Sequence, residues 1–167
     1  MPEHNSESRI MADVFQGVRN LTKMYLSKLP NIDVKKRYEI NGIKLNSALW
    51  ITGHLVWSEH YLLIEGLGGK PVDIPWLDKF TLGATPTKND DLPLLDEILQ
   101  TLDKVHDSAI SQLLLLPGDE LEKPNLIGAT FGGKNTKRAI IYHAIRHEPM
   151  HIGQLSWILK ANGIKFV

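Results

Sequence analysis

Four segments of the chain repeat apolar residues at spacings of three and four, and this pattern restricts the fold more than any other feature. The segments lie between residues 10 and 30, 44 and 65, 91 and 117, and 135 and 162. No stretch alternates strictly between apolar and polar residues, so the sequence offers no good strand candidate. The pattern predicts an all-α protein: a four-helix bundle with long connections, formed as a single domain by residues 1–167.

The apolar residues also indicate how the first two helices are used. The stripe of the first helix consists of Ile10, Val14, Val18, Leu21 and Tyr25. The second helix is apolar on nearly every side, which predicts that it lies at the centre of the bundle or at a subunit contact. Because a net charge of zero does little to oppose association, we expect a homodimer.

The ends of the third and fourth helices carry recognisable signals. The third opens near Asp91 with Pro93 in its first turn, and Pro117-Gly118 follows it. The fourth has Asn135 or Thr136 as its N-cap, and Asn162-Gly163 stops it.

Composition excludes several classes of protein. Nineteen Lys and Arg balance nineteen Asp and Glu, which argues against partners such as nucleic acid or a membrane surface. There is no cysteine, so disulfides, thiolate nucleophiles, zinc fingers and iron–sulfur clusters are excluded. The most apolar stretch contains Lys44, His54 and Glu59, and no signal peptide is visible at the N-terminus. We expect a cytoplasmic protein.

The run Gly128-Ala-Thr-Phe-Gly-Gly-Lys134 matches the first seven positions of a phosphate-binding P-loop. The eighth position is Asn135, which has no hydroxyl for magnesium, and no apolar strand precedes the run. We interpret the segment as a glycine-rich connection before the fourth helix.

The run His147-Glu-Pro-Met-His151 matches HExxH, the signature of zinc peptidases. No His, Asp or Glu follows His151 as a third ligand, and Pro149 removes a backbone donor within the motif. We therefore reject a peptidase. The two histidines remain metal-ligand candidates, because residues four apart share one face of a helix. Glu148 could orient a ligand, pair within the helix or stay in solvent.

A third ligand has to come from another helix, and His54 is the best candidate. It lies in the middle of the most apolar helix, where its ring nitrogens need polar partners. Trp50, Trp57 and Tyr61 fall on the same face, either as the wall of a pocket or as ordinary core.

The other histidines are weaker candidates for metal ligands. His143 is one turn before His147, and we expect it beside the site rather than among the ligands. His106 is interpreted as structural, His60 as facing elsewhere, and His4 as part of a loose terminus. Two further side chains are candidates for supporting contacts to the ligands: Glu59 and Gln154.

Two segments resemble the DinB/YfiT-like family. The stretch 131–155 is similar to its fourth helix, with a His-Glu-x-x-His-x-Gly-Gln run, and Trp50-Ile-Thr-Gly-His54-Leu is similar to its second. The resemblance implies a four-helix bundle, commonly dimeric, that holds one divalent ion through His54, His147 and His151. Ile152 stands where the family often has Arg, and Pro149 suggests a bent fourth helix.

Three neutral imidazoles leave coordination positions open, as catalytic metal sites do. Such an ion acts as a Lewis acid and can acidify a bound water or thiol. Together with the resemblance, this predicts a metal-dependent transferase or hydrolase for a small molecule, with any thiol supplied as a low-molecular-weight cosubstrate. The alternative is a non-catalytic stress-associated or ligand-binding bundle with a structural ion. Zn or Ni is the expected metal, and Fe or Cu also suits histidine ligands.

Overall fold

The computed structural model describes residues 7–84 and 91–165; His4 lies outside these ranges. The expected all-α four-helix bundle is confirmed. Its helices are α1 (Glu7–Leu26), α2 (Ala48–Glu59), α3 (Leu95–Leu115) and α4 (Lys137–Ala161). A π-helical turn (His60–Glu65) continues α2, and 3-10 turns are formed by Leu29–Asn31, Leu77–Phe80 and Gly118–Glu120. None of the helices in the described ranges is long and apolar enough to span a membrane.

A small hairpin precedes α2, and the prediction of a helix from about Lys44 without any strand is wrong there. The strands are β1 (Glu39–Ile40) and β2 (Ile43–Lys44), which pair antiparallel. Asn41 and Gly42 join them with positive φ angles of 51° and 79°, as a type I′ turn requires. The helix begins only after Ser47, whose hydroxyl accepts a hydrogen bond from the Trp50 N–H.

Helix α2 lies at the centre of the bundle. Ten of its twelve residues are buried, and the other two, Trp50 and Trp57, are half-buried. Gly53 allows the 3-10 turn Leu77–Phe80 to pack directly on the helix, because a Cβ at this position would clash with the Phe80 ring. This close approach brings the Phe80 main chain to the level of His54.

The apolar stripe assigned to α1 faces the core only in part: Val18 and Tyr25 are half-buried and pack against it, but the other three residues are exposed. Ile10, Val14 and Leu21 are 54%, 49% and 46% exposed. The helical period is correct, but the buried face is a different one that includes polar side chains; its residues are Ser8, Met11, Ala12, Phe15, Arg19, Thr22 and Leu26. Arg19 is buried because carboxylates from other helices bind its guanidinium. Helix α1 therefore keeps several exposed apolar side chains that the bundle does not bury.

The ends of α3 and α4 differ in how well the sequence signals them. Helix α3 begins four residues later than expected, because Leu94 is still extended with ψ of 152°. The hydroxyl of Thr136 accepts from the Ala139 N–H and caps α4, as one of the two expected residues. Helix α4 continues through Pro149 and ends before Asn162.

Candidate metal centre

His54 is held by its neighbours on α2 and by the turn that packs there. Its ring stacks between Trp50, at a centroid distance of 4.9 Å, and Trp57, at 5.3 Å. Its Nδ1–H donates to the main-chain oxygen of Phe80 over 2.8 Å. The remaining nitrogen, Nε2, is therefore unprotonated and free to bind a metal ion.

His147 and His151 complete the group from α4. Their Nε2 atoms lie 3.2 Å apart, and the His151 Nδ1–H donates to Oε1 of Gln154 over 3.0 Å. The His54 ring lies 5.3 Å from the His147 ring and 4.8 Å from the His151 ring, between centroids. Gln154 thus fixes the orientation of one ligand candidate, as expected for a supporting contact.

The three imidazoles, here called the histidine cluster, have the spacing of a metal site. One ring nitrogen from each lies within 4.8 Å of the other two. Two nitrogens bound to one tetrahedral zinc ion at about 2.0–2.1 Å are separated by about 3.3 Å, close to the observed contact within α4. The cluster could therefore hold a metal ion.

The environment keeps the cluster uncharged. Burial lowers the pKa of His54 to about 4, although the hydrogen bond to the Phe80 carbonyl opposes the shift. Burial, and then the neighbouring imidazoles, lower the pKa of His147 to about 3. Burial also lowers the pKa of His151. At neutral pH protons do not compete for the lone pairs that a metal ion needs.

A family model for the DinB superfamily matches residues 15–155. The chain belongs to the DinB superfamily. The match covers most of the four helices and both segments that carry the resemblance, so the expected membership is confirmed. No curated protein matches the chain.

In this DinB protein His143 lies beside the cluster. Its ring stacks on Phe131 with a centroid distance of 3.7 Å and lies 5.3 Å from the His147 ring. The Arg146 Nε–H donates to its Nδ1 over 3.3 Å. Burial, and then the charge of Arg146, lower the pKa of His143. The residue lies next to His147 and outside the three-histidine group, in agreement with its expected place beside the site.

Glu148, the acidic residue of the HExxH match, points away from the cluster and into the DinB core. It is 3% exposed and binds Arg19 of α1 with both carboxylate oxygens, at 3.0 and 2.8 Å. Glu148 therefore does not orient a ligand, pair within its own helix or stay in solvent, which were the three roles considered for it. Its partner lies on another helix. Glu148 is therefore not positioned to act on a ligand of the histidine cluster.

The same arginine connects two further residues. Arg19 Nη2 donates to Glu59 over 2.5 Å, and the His106 Nδ1–H donates to the other Glu59 oxygen over 2.8 Å. Arg19, Glu59, His106 and Glu148 thus form a buried charge cluster with one residue from each helix. Glu59 does not contact the metal-ligand candidates, contrary to expectation. His106 is structural, and His60 faces elsewhere, accepting from the Val72 N–H.

Proposed function

We propose that this DinB protein binds one divalent metal ion through His54, His147 and His151 and acts as a metal-dependent transferase or hydrolase on a small molecule. The observation that carries the proposal is the geometry of the histidine cluster. Within residues 7–84 and 91–165, no carboxylate or further imidazole joins the cluster. Three protein ligands leave a coordination position for a substrate, as in catalytic zinc sites.

The chain's own residues would prepare such a site. When bound, a divalent ion with three neutral ligands supplies Lewis-acid chemistry, since the ligands do not offset its charge. Phe80 and Gln154 keep the Nδ1 protons of two ligands directed away from the ion. Trp50 and Trp57 cover both faces of the His54 ring and exclude water from it. Zn or Ni is our proposed metal, with Fe and Cu as further choices.

The activity can be tested with a panel of small electrophiles and esters, each assayed with and without a low-molecular-weight thiol. The thiol is included because the chain has no cysteine to serve as a nucleophile. We expect turnover by the metal-loaded protein, loss of turnover after chelation, and recovery when the metal is restored. A fully loaded protein whose metal does not exchange and that turns over no member of the panel would instead indicate a structural ion.

We further propose that a second copy of the chain covers the exposed stripe of α1. Of the two places considered for α2, the centre of the bundle suits the fold better than a subunit contact, because ten of its twelve residues are buried within one chain. The free apolar residues on α1 are Ile10, Val14, Leu21 and Met24, each between 46% and 54% exposed. A contiguous apolar helix face of this kind is typical of an association surface.

Sedimentation should therefore give a mass near twice the 18.8 kDa of one chain. Leu21→Glu should give a monomer, because dimerisation would bury an unpaired charge at the centre of the stripe. Leu115→Glu changes a side chain of α3 that is 78% exposed and should leave the dimer intact. A monomeric wild-type protein, or equal effects of the two substitutions, would count against the proposal.

A further inference from the structure

A groove of about 700 Å³ lies between the hairpin and the C-terminal half of α4. Its hairpin side includes Tyr38, Ile40 and Leu45, and its α4 side includes Trp157, Ile158 and Ala161. A volume of several hundred Å³ with mostly apolar walls is typical of a site for a small organic ligand. The dimensions therefore suit a small molecule.

The polarity of the groove restricts the ligand further. The charged side chains that line it are Glu39 and Lys44, which are directly opposite each other in the register of the hairpin and carry opposite signs. Their charges balance, so the rim does not favour an anion or a cation. An uncharged apolar group suits these walls best, because a charged group would lose hydration without gaining a partner.

One residue joins the groove to the histidine cluster. Gln154 lines the groove, and its Oε1 accepts the hydrogen bond from His151. No protein acceptor in the described ranges forms a hydrogen bond with Gln154 Nε2, so this group can donate to a ligand. Gln154 thus links the groove to the cluster through a single hydrogen bond.

We propose that the groove binds an uncharged alkyl or aryl group of the substrate, with a hydrogen-bond acceptor of the ligand at Gln154. That the ligand is the substrate rests on the proposed function, whereas its binding in the groove requires no metal ion. The neutral rim, the apolar walls and the hydrogen bond that joins Gln154 to His151 favour this occupant over a second copy of the chain. If the groove instead bound a second copy of the chain, filling it with Ala161→Phe would change the sedimentation mass, whereas loss of a small-molecule site would not.

The test uses the neutral fluorophore N-phenyl-1-naphthylamine as a probe, with 1-decanol as competitor. We expect saturable binding of one probe per chain and displacement by the alcohol. Ala161→Phe fills the groove and should weaken probe binding at least tenfold. Leu115→Phe adds a ring to a side chain of α3 that is 78% exposed and outside the groove lining, and should leave affinity within twofold of wild type.

Two further variants distinguish a failure of ligand binding in the groove from a failure of metal binding and turnover. Leu45→Glu places a charge on the opposite wall and should also weaken the probe tenfold, so the test does not depend on one substitution. His147→Ala should bind the probe normally even where metal binding and turnover are lost, which separates failure of the groove from failure of the proposed function. Absence of saturable binding, equal affinities of the Ala161→Phe and Leu115→Phe variants, or a change of sedimentation mass in Ala161→Phe would overturn the proposal.

Discussion

Arg19→Met should lower the free energy of unfolding by about 3–5 kcal/mol, the range for removing one partner of a buried ion pair. The arginine is 0% exposed and binds both Glu59 and Glu148, which are each 3% exposed. Methionine fills a similar space but leaves two carboxylates buried without their cation. His106 can compensate only on the Glu59 side. Urea denaturation of the two proteins measures the difference.

A matched substitution on the same helix provides the control. Lys23 pairs with Asp103 of α3, but both side chains are more than half exposed, at 51% and 56%. Lys23→Met should therefore change stability by less than about 1 kcal/mol. If Arg19→Met were no more destabilising than this control, the charge cluster would not be a major contributor to the fold.

His54→Ala should weaken metal binding by more than about 100-fold. Loss of a residue that merely supports a ligand costs about 10–100-fold in affinity, and a ligand itself should cost more. The two histidines of α4 would remain but would bind the ion from one side only. His54→Gln retains more of the volume between Trp50 and Trp57 and should show the same loss, which separates ligation from packing. Competition with a chromophoric chelator gives both affinities.

The sequence predicts the helices and the three histidines of the candidate site. The helical period depends on local spacing alone, and the pair 147 and 151 shares a face wherever the helix lies. The sequence points to His54 because a histidine in so apolar a helix needs partners, and the family resemblance places it beside the other two. Its actual Nδ1 partner, the Phe80 carbonyl, is 26 residues away and could not be anticipated.

The buried face of α1 and the role of Glu148 could not be predicted in the same way. Periodicity favours the stripe with Ile10 and Val14, but the core instead takes the face that carries Arg19. Which face of α1 is buried depends on the carboxylates of Glu59 and Glu148, which α2 and α4 bring to the Arg19 guanidinium. The hairpin, by contrast, has a local signal in the sequence, because Asn41-Gly42 between two isoleucines is a strong hairpin pattern.

The content of bound metal per chain tests the central claim most directly. We expect about one zinc or nickel ion per chain in the wild-type protein by elemental analysis after gel filtration. His54→Ala and His151→Ala should retain far less. Glu148→Gln should stay near wild type in the folded fraction, because this side chain binds Arg19 rather than facing the cluster. Full stoichiometry and affinity in His54→Ala would contradict the three-histidine site.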